Sequence, residues 1–324
     1  MDSGLLVPSI DIYVTYRCNL RCAHCFVGDN LNLNTNFPLD SLMALIHYCH
    51  HWKTNQITFL GGEPTIYPSI VQVVQLAAAR GLRSRLITNG QQGFAKFMHA
   101  TEGVNVDIGF SIDGSSASVH DTIRGSGTFK RLLANVLQSQ SLGFESHAIV
   151  SVSKQNCHDI LRILDLCEQL RFKYVNVHYV TARGFASSDI VLKPPAWRKL
   201  CFEVRDYSSK LNVEVRLEET FVTKEQGVGS CAVRERSSLL FFPDGRVFMC
   251  PMFIDVPDAH SFIWSGSTLL KNRSKSSETV LSAADVSVHC PAMRFVNPTI
   301  AKESASLGLS IRCIFHKTEL GLTS

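Results

Sequence analysis

The feature that most constrains the fold of this chain is an alternation of short apolar strands and amphipathic helices, repeated six times between Ile10 and Val180. Strands that are joined through helices pair in parallel, because a parallel pair needs a long crossover connection. Six such steps predict an α/β fold, a partial (β/α)6 barrel similar to a TIM barrel. Active sites of such barrels lie at the carboxyl ends of the strands, so residues that follow strands are the first candidates for a site.

Three cysteines follow the first predicted strand with the spacing Cys-x3-Cys-x2-Cys: Cys18, Cys22 and Cys25. Thiolates suit iron-sulfur clusters or zinc, and a cubane cluster normally takes four of them. Three close thiols without a nearby fourth predict a metal centre with one open position, as a catalytic site needs. A zinc site or three core cysteines are the alternative that the spacing alone leaves open.

Two later strands also end in residues that suit a ligand. The second is followed by Gly61-Gly62-Glu63-Pro64, where the glycines admit a close ligand and Glu63 offers an acceptor to an ammonium group. The strand within residues 104–114 places Ser111 and Asp113 on one side. Short polar groups at a strand end suit a ribose diol.

The three cysteines, with Gly-Gly-Glu-Pro one helix later, resemble the signature of the radical S-adenosylmethionine (SAM) superfamily, and the resemblance covers residues 8–184. It implies that the cysteines hold a [4Fe-4S] cluster whose unique iron chelates SAM through its amino and carboxylate groups. The loop run from His120 to Gly125 closely resembles a pattern of the SPASM and Twitch branches. There Arg124 is expected to meet the SAM carboxylate, which suits a planar guanidinium.

The resemblance implies SAM contacts at further positions. His24 stands where the family often has an aromatic residue against the adenine. The full set of candidate SAM-binding residues is Gly61, Gly62, Glu63, Pro64, Thr88, Asn89, Ser111, Asp113, Arg124 and His24. No residue is singled out as a second hydrogen donor or base.

Four cysteines in the last third of the chain form a second candidate site: Cys231, Cys250, Cys290 and Cys313. The first two flank a predicted β-hairpin with Pro243-Asp244-Gly245 at its tip. Four thiols are the number that one closed cluster needs. Their pattern resembles the opening of a SPASM or Twitch extension, and four cysteines rather than seven favour the Twitch type with one auxiliary [4Fe-4S] cluster.

The wide separation of Cys290 and Cys313 departs from the family's pattern. A structural zinc site, ordinary buried thiols, or replacement of one ligand by His289 or His316 therefore stays open. The expected domains are the partial barrel (1–184), a linker with one helix and one strand (185–228) and the auxiliary-cluster domain (229–324).

Composition bounds the class of protein. The formal net charge of +4 is mild, and the basic residues are mostly scattered, so a nucleic-acid partner is not expected. No apolar run reaches the length of a bilayer span, and no basic region precedes the apolar Leu5-Leu6-Val7, so we expect a cytoplasmic protein without a membrane partner. Eleven cysteines in that compartment indicate metal ligation.

The resemblance implies an enzyme that cleaves SAM reductively to a 5'-deoxyadenosyl radical, which removes a hydrogen atom from an unactivated carbon. The barrel begins near residue 8, which favours a small molecule (a sugar, aminoglycoside or nucleoside type) or a short peptide, in natural-product biosynthesis. A maturase of ribosomally made peptides, forming crosslinks, thioethers or epimers, is the alternative, and a non-catalytic iron-sulfur or zinc protein is a second one. Flavodoxin or ferredoxin would serve as electron donor.

Overall fold

The structure is a computed structural model of the chain. It describes residues 6–227, 229, 231, 238–272, 274, 290–314 and 317–320. Among the helices in these ranges, none is both long enough and apolar enough to cross a membrane.

Six parallel strands form the wall of the barrel, each paired with the next in sequence. They are β1 Ser9–Tyr13, β2 Gln56–Leu60, β3 Arg83–Thr88, β4 Val106–Ser111, β5 Ser146–Val152 and β6 Tyr174–Tyr179. The connecting helices are α1 Leu39–Tyr48, α2 Ile70–Ala79, α3 Phe94–Ala100, α4 Ala117–Arg124, α5 Thr128–Ser141 and α6 Ile160–Gln169. The predicted α/β partial barrel is confirmed.

Two of these helices were absent from the sequence prediction. Helix α3 has only seven residues, too few to show a clear apolar period. Helix α4 contains the run that we interpreted as a loop, and Arg124 is its last residue. Gly125 ends this helix with φ +114°, a conformation that favours glycine.

The barrel continues beyond its sixth strand. Helix α7, Pro194–Ser208, leads into β7, Glu214–Leu217, which pairs in parallel with β6. The helix and strand that we assigned to a linker therefore form a seventh strand-helix step of the same sheet. The division of the chain near residues 184 and 228 stays a prediction.

The late part of the chain extends the sheet at both edges. The predicted hairpin is present as β9 Ser238–Phe241 and β10 Arg246–Phe248, and β9 pairs in parallel with β1. The remaining described elements are β8 Phe221–Val222, β11 Phe262–Trp264, β12 Leu269–Lys271, α8 Pro291–Val296, α9 Pro298–Ser306, β13 Ser310–Ile311 and β14 Thr318–Leu320. Strand β14 pairs antiparallel with β7, at the edge opposite β9 to β12.

Alternate residues along the strands separate an apolar outer face from a polar interior. On β4, Ile108 and Phe110 are fully buried against the helices, and burial of each such side chain stabilises the fold by about 1.5–3 kcal/mol. Just before them, Asp107 turns inward and binds Arg85 Nε at 3.0 Å, His147 Nδ1 at 2.8 Å and the Tyr174 hydroxyl at 3.1 Å. This inner network ties β3, β4, β5 and β6 together.

Candidate active site

The loop that leaves β1 carries Cys18, Cys22 and Cys25, all half-buried and free of disulfides. Donors from three directions approach the first two sulfurs. The Leu20 amide lies 3.4 Å and Asn89 Nδ2 3.9 Å from Cys18 Sγ, while Arg124 Nη1 lies 3.9 Å from Cys22 Sγ. N–H groups that point at sulfur suit thiolates that ligate a cluster, because such donors stabilise the negative charge on the sulfur.

Burial governs the protonation of these thiols. It raises the pKa of Cys18 to about 12, and it raises the pKa of Cys22 in spite of the nearby Arg124 charge. Without metal, both thiols therefore hold their protons at neutral pH. Iron has to displace these protons, so cluster assembly depends on pH.

The Gly61-Gly62 pair fixes the cluster loop against the end of β2. The Gly62 amide donates to the Thr15 carbonyl at 2.8 Å, and the Glu63 amide donates to the Arg17 carbonyl at 2.8 Å. A Cβ on Gly62 would lie 2.3 Å from the Arg17 oxygen, and one on Gly61 would lie 2.7 Å from the Thr15 oxygen. Only glycine fits at either position without moving the loop.

The Glu63 carboxylate is buried and connects the ends of β2 and β3. Its Oε1 accepts from the Thr65 amide at 3.0 Å, from Thr65 Oγ1 at 2.6 Å and from Thr88 Oγ1 at 2.7 Å, and its Oε2 accepts from the Asn89 amide at 2.7 Å. Burial raises the pKa of Glu63, and these hydrogen bonds act against the rise. Since Oε1 has three donors, Oε2 is the oxygen left for a ligand ammonium.

Pro64, Asn89 and Ser111 complete the strand-end positions that the sequence singled out. Pro64 is buried and opens a short 3-10 helix. The Asn89 side chain donates to Asn19 Oδ1 on the cluster loop at 3.0 Å. Ser111 is half-buried at the end of β4. The structure therefore gathers these residues at the edge of the sheet from which the cluster loop leaves.

The fully buried Asp113 holds two of the other candidates. Its Oδ2 lies 2.5 Å from Arg124 Nε and 3.4 Å from His24 Nε2, and its Oδ1 accepts from the Ser151 amide at 2.8 Å. Burial alone would raise the pKa of Asp113, but the Arg124 charge, the two neighbouring histidines and the hydrogen bond from the Ser151 amide together outweigh it, and the pKa lies below its usual value. Both carboxylate oxygens thus have protein partners, whereas Arg124 Nη1 faces the cluster loop.

Residues of the run from His120 to Gly125 make contacts that support the position of Arg124. His120 Nδ1 accepts from the Asp113 amide at 3.2 Å, and burial lowers the pKa of His120 to about 4, so its ring is neutral. Asp121 accepts from the amides of Gly127 at 2.7 Å and Phe129 at 2.8 Å, which caps the start of α5. The run therefore aims Arg124 at the cluster loop.

Two glycines at the site were not among the residues predicted from the sequence. Gly184 and Gly28 have φ of +59° and +57°, and they lie against each other. A Cβ on Gly184 would lie 2.1 Å from the Cys25 oxygen, while the Phe185 amide donates to that oxygen at 2.9 Å. The signal was a glycine soon after the sixth strand, a position where glycine lets two loops approach closely.

The structure also brings together the four late cysteines. Cys250 follows β10, Cys290 directly precedes α8, and Cys313 follows β13. The pKa of Cys250 is raised well above its ordinary value, first by burial and then by the neighbouring thiolates of Cys290, Cys313 and Cys231. Burial likewise raises the pKa of Cys290 to about 12, and the backbone amide of Met293 acts against it.

The chemistry of both thiol groups fits iron-sulfur clusters. In the part of the chain that the structure describes, no three His, Cys, Asp or Glu side chains form a group that could hold a single metal ion. A cubane binds each thiolate to a different iron, so its ligands need not converge on one point. The alternative ligands His289 and His316 lie outside the described residues.

The late region is attached directly to the cluster loop. The Tyr16 hydroxyl lies 3.1 Å from Asp244 Oδ2 at the hairpin tip, and Tyr13 stacks on Phe242 at 4.3 Å. Asp255 Oδ1 accepts from Asn30 Nδ2 at 3.1 Å. These contacts place the hairpin that precedes Cys250 beside the strand that leads into the loop of the first three cysteines.

Comparison with known proteins gives one family and several structures of the same fold. Residues 12–167 match the model described as "Radical SAM superfamily". The Fe-coproporphyrin III synthase of Methanosarcina barkeri is 27% identical over 183 residues, which are 56% of this chain and 46% of that relative. The chain spans about half the length of the curated relatives that head the comparison.

Two solved structures share the fold at 16% identity. SuiB of Streptococcus suis, bound to the precursor peptide SuiA, has a TM-score of 0.68 over 78% of this chain and 61% of SuiB. Native anSMEcpe with bound AdoMet has a TM-score of 0.62 over 92% of this chain and 96% of that one. The second similarity extends over nearly all of both chains.

Proposed function

Because residues 12–167 match the model described as "Radical SAM superfamily", we propose that the chain is an enzyme of this superfamily, one that cleaves SAM reductively and removes a hydrogen atom from an unactivated carbon of its substrate. A [4Fe-4S] cluster on Cys18, Cys22 and Cys25 would supply the electron that yields the 5'-deoxyadenosyl radical. The observation that carries the proposal is the three-thiol loop, surrounded at one edge of the sheet by Glu63, Asn89 and Arg124.

The protein's own residues bind and orient SAM in this proposal. Glu63 Oε2 accepts from the SAM ammonium, and Arg124 donates through its Nη groups to the SAM carboxylate, while Asp113 holds Nε. Ser111 and His24 contact the ribose and adenine ends. His24 Nδ1 is buried without a hydrogen-bond partner among the described residues, as expected for an atom that awaits a ligand.

We propose a second [4Fe-4S] cluster on Cys231, Cys250, Cys290 and Cys313. The support is that the four thiols, from segments far apart in sequence, lie close together: Cys290, Cys313 and Cys231 all contribute to the raised pKa of Cys250, and Cys313 and Cys231 contribute to that of Cys290. A flavodoxin or ferredoxin is proposed as the electron donor.

The substrate is proposed to be a small molecule or a short peptide in natural-product biosynthesis. A small molecule agrees with the relative named Fe-coproporphyrin III synthase. Maturation of a ribosomally made peptide is the second candidate, and the fold shared with a protein solved with its precursor peptide favours it.

The test is anaerobic reconstitution with iron and sulfide, followed by reduction with dithionite and incubation with SAM. We expect 5'-deoxyadenosine from the wild type and none from Cys22→Ala. The matched control is Cys157→Ala, a half-buried thiol that lies outside both groups, which should retain the activity. A wild type that binds iron but forms no deoxyadenosine would support the non-catalytic alternative.

A further inference from the structure

One buried amide side chain in the wall of the barrel has no hydrogen-bond partner. Asn176 is the third residue of β6 and is 5% exposed, and its Oδ1 is buried without a donor among the described residues. A buried polar group that is left unpaired lowers stability, because folding removes its hydrogen bonds to water. Buried side-chain amides in native proteins are therefore nearly always paired.

Alternation along β6 shows which way Asn176 points. Val175 and Val177 are fully buried against the helices, whereas the Tyr174 hydroxyl reaches Asp107 in the inner network. Residues two apart on a strand share a face, so Asn176 lies on the inner face of the barrel with Tyr174.

The residues on either side of Asn176 on this inner face both have partners. The Tyr174 hydroxyl donates to Asp107 Oδ2 at 3.1 Å, and His178 Nδ1 lies 2.5 Å from Glu218 Oε1. The described part of the chain supplies no such partner to the Asn176 amide. This amide is therefore available to a group from outside the chain.

The inner face of the barrel is open to solvent near the mouth. Leu60, Ile87 and Ile149 lie on this face and are half-buried, although outward-facing neighbours such as Phe59 are fully buried. Half-exposed apolar side chains inside a barrel line a space that a ligand can enter. This space has an apolar wall on β2, β3 and β5, and Asn176 lies on β6 beside it.

The strand register places Asn176 at the level of a candidate SAM contact. Ile149 pairs with Ser111 on one side and with Asn176 on the other. Neighbouring strands are about 4.8 Å apart, so the backbones of Ser111 and Asn176 are separated by at most about 10 Å. Ser111 is the residue proposed to contact the ribose of SAM, and a group bound to Asn176 would lie close to that ribose.

The chemistry of the amide determines which ligand it fits. A primary amide offers an acceptor oxygen and a donor nitrogen side by side in one plane. The N–H and C=O groups of a peptide unit match this pair, whereas a single hydroxyl oxygen meets only one of the two atoms with good geometry. A neutral amide also gives no preference for an ion, so a peptide unit is the ligand that fits it best.

We propose that Asn176 binds a peptide unit of the substrate inside the barrel, accepting from its N–H at Oδ1 and donating from Nδ2 to its carbonyl. This assignment rests on the proposed function for the position of SAM, and it identifies the substrate class as a peptide. Leu60, Ile87 and Ile149 would contact the side chain next to the bound peptide unit.

The first test measures the stability of the reconstituted protein without substrate. Asn176→Leu removes two unpaired polar atoms at similar volume, so we expect the midpoint of urea unfolding to rise. Asn156→Leu is the matched control: its fully buried amide donates to the carbonyls of Asp113 at 3.0 Å and Ser151 at 3.1 Å, so its midpoint should fall. An unchanged or lower midpoint in Asn176→Leu would overturn the proposal, because the amide would then already have a partner.

The second test measures binding by NMR of the protein with oxidised clusters and 15N in its asparagine side chains. The probe is N-acetylalanine methylamide, a blocked peptide unit, and Asn176→Leu identifies the Asn176 signal. We expect the probe to shift this signal to saturation. In the variant, the methyl signals of Ile149 should report at least tenfold weaker binding, because two hydrogen bonds are lost. Asn105, which is exposed, is the internal control and should not respond.

Further probes decide the chemistry of the ligand. Methyl O-acetyllactate, in which an ester oxygen replaces each N–H of the first probe, should shift the Asn176 signal less. No response to the amide, or an equal response to the ester, would overturn the subsite, and a stronger response to propane-1,2-diol would overturn the peptide assignment. A nuclear Overhauser effect from Asn176 to a long-lived water, without any response to the amide, would identify an ordered water as the partner and overturn the subsite as well.

Deoxyadenosine measurement on the same wild-type preparation separates this proposal from the proposed function. If the wild type binds the peptide probe but forms no deoxyadenosine, the radical chemistry fails and the subsite stands. If it forms deoxyadenosine but shows no response to the probe, the subsite fails alone.

Discussion

The two thiol groups of this protein are built in opposite ways. The first three ligands lie within residues 18–25, on one loop, and loops from later strand ends fix that loop in place. The late four come from segments between residues 231 and 313 and meet only because β9 docks on β1 and the chain returns through β13. With the proposed clusters, the first group would leave one iron open for a ligand, whereas the second supplies enough thiols to close a cluster.

This difference predicts what each group depends on. The first should be sensitive to single contacts around its loop, because donors such as Arg124 and the Gly62 amide determine its geometry. The second should be sensitive to the fold as a whole. Chemistry at the first group should continue when the second is removed, if the second does not take part in SAM cleavage.

The largest effect should come from removing one thiol of each group in parallel. Cys22→Ala should lose about four irons and all deoxyadenosine formation. Cys250→Ala should also lose about four irons but still form deoxyadenosine. Iron analysis, electron paramagnetic resonance of the reduced protein and deoxyadenosine measurement test this, and loss of SAM cleavage in Cys250→Ala would contradict the separation of the two groups.

The next largest effect concerns the ion pair of Arg124 and Asp113, next to the first group. Arg124→Leu leaves the Asp113 carboxylate buried without its partner, which should lower the free energy of unfolding by about 3–5 kcal/mol. Chemical denaturation measures this. The double variant Asp113→Asn with Arg124→Leu should recover part of the loss, since no buried charge remains. A single variant as stable as the wild type would show that the pair does not hold the site.

A smaller effect should follow from the close contact at Gly62. Gly62→Ala places a Cβ 2.3 Å from the Arg17 oxygen, which should displace the cluster loop and lower deoxyadenosine formation about a hundredfold. Gly143→Ala is the control, because no atom lies within 4 Å of its added Cβ, although its φ of +81° adds a backbone strain that Gly62→Ala does not have. The control should lose some stability and keep its activity and iron.

The sequence-based prediction for the first group draws on local information. Strand ends, three spaced thiols and the Gly61-Gly62 pair are visible without the fold, and the parallel barrel brings them to one edge. The role of Asp113 could not be predicted, since a strand-end carboxylate looks the same whether it faces a ligand or Arg124. The seventh strand was predicted but assigned to a linker, because residues 185–193 interrupt the alternation, and only pairing with β6 shows that β7 continues it.

Strand β14 shows the same limit more sharply. It lies in a short stretch near the end of the sequence, with no motif around it. It joins the sheet through antiparallel pairing with β7, a contact between residues about a hundred positions apart. Such a tertiary contact leaves no local pattern in a single sequence.

The smallest predicted effect is a pH dependence of the free energy of unfolding that comes from His120, which contacts the Asp113 amide near the first group. His120 is neutral because burial lowers its pKa to about 4, below the unfolded value near 6.5. Its contribution to stability is thus fully present above pH 6.5 and is lost as pH falls from there toward 4, because the unfolded chain binds the proton first. The slope from this residue reaches about 1 kcal/mol per pH unit at most.

His120→Asn keeps an acceptor for the Asp113 amide but removes the titrating group, so the free energy of unfolding should fall less steeply between pH 6.5 and 4. The exposed His51→Asn is the matched control and should leave the slope as in the wild type. Denaturation at a series of pH values measures both. If the free energy of unfolding of His120→Asn depends on pH as steeply as that of the wild type, the acid sensitivity of the protein originates outside the first group. The expected contrast between the two thiol groups would then rest on the cysteine variants alone.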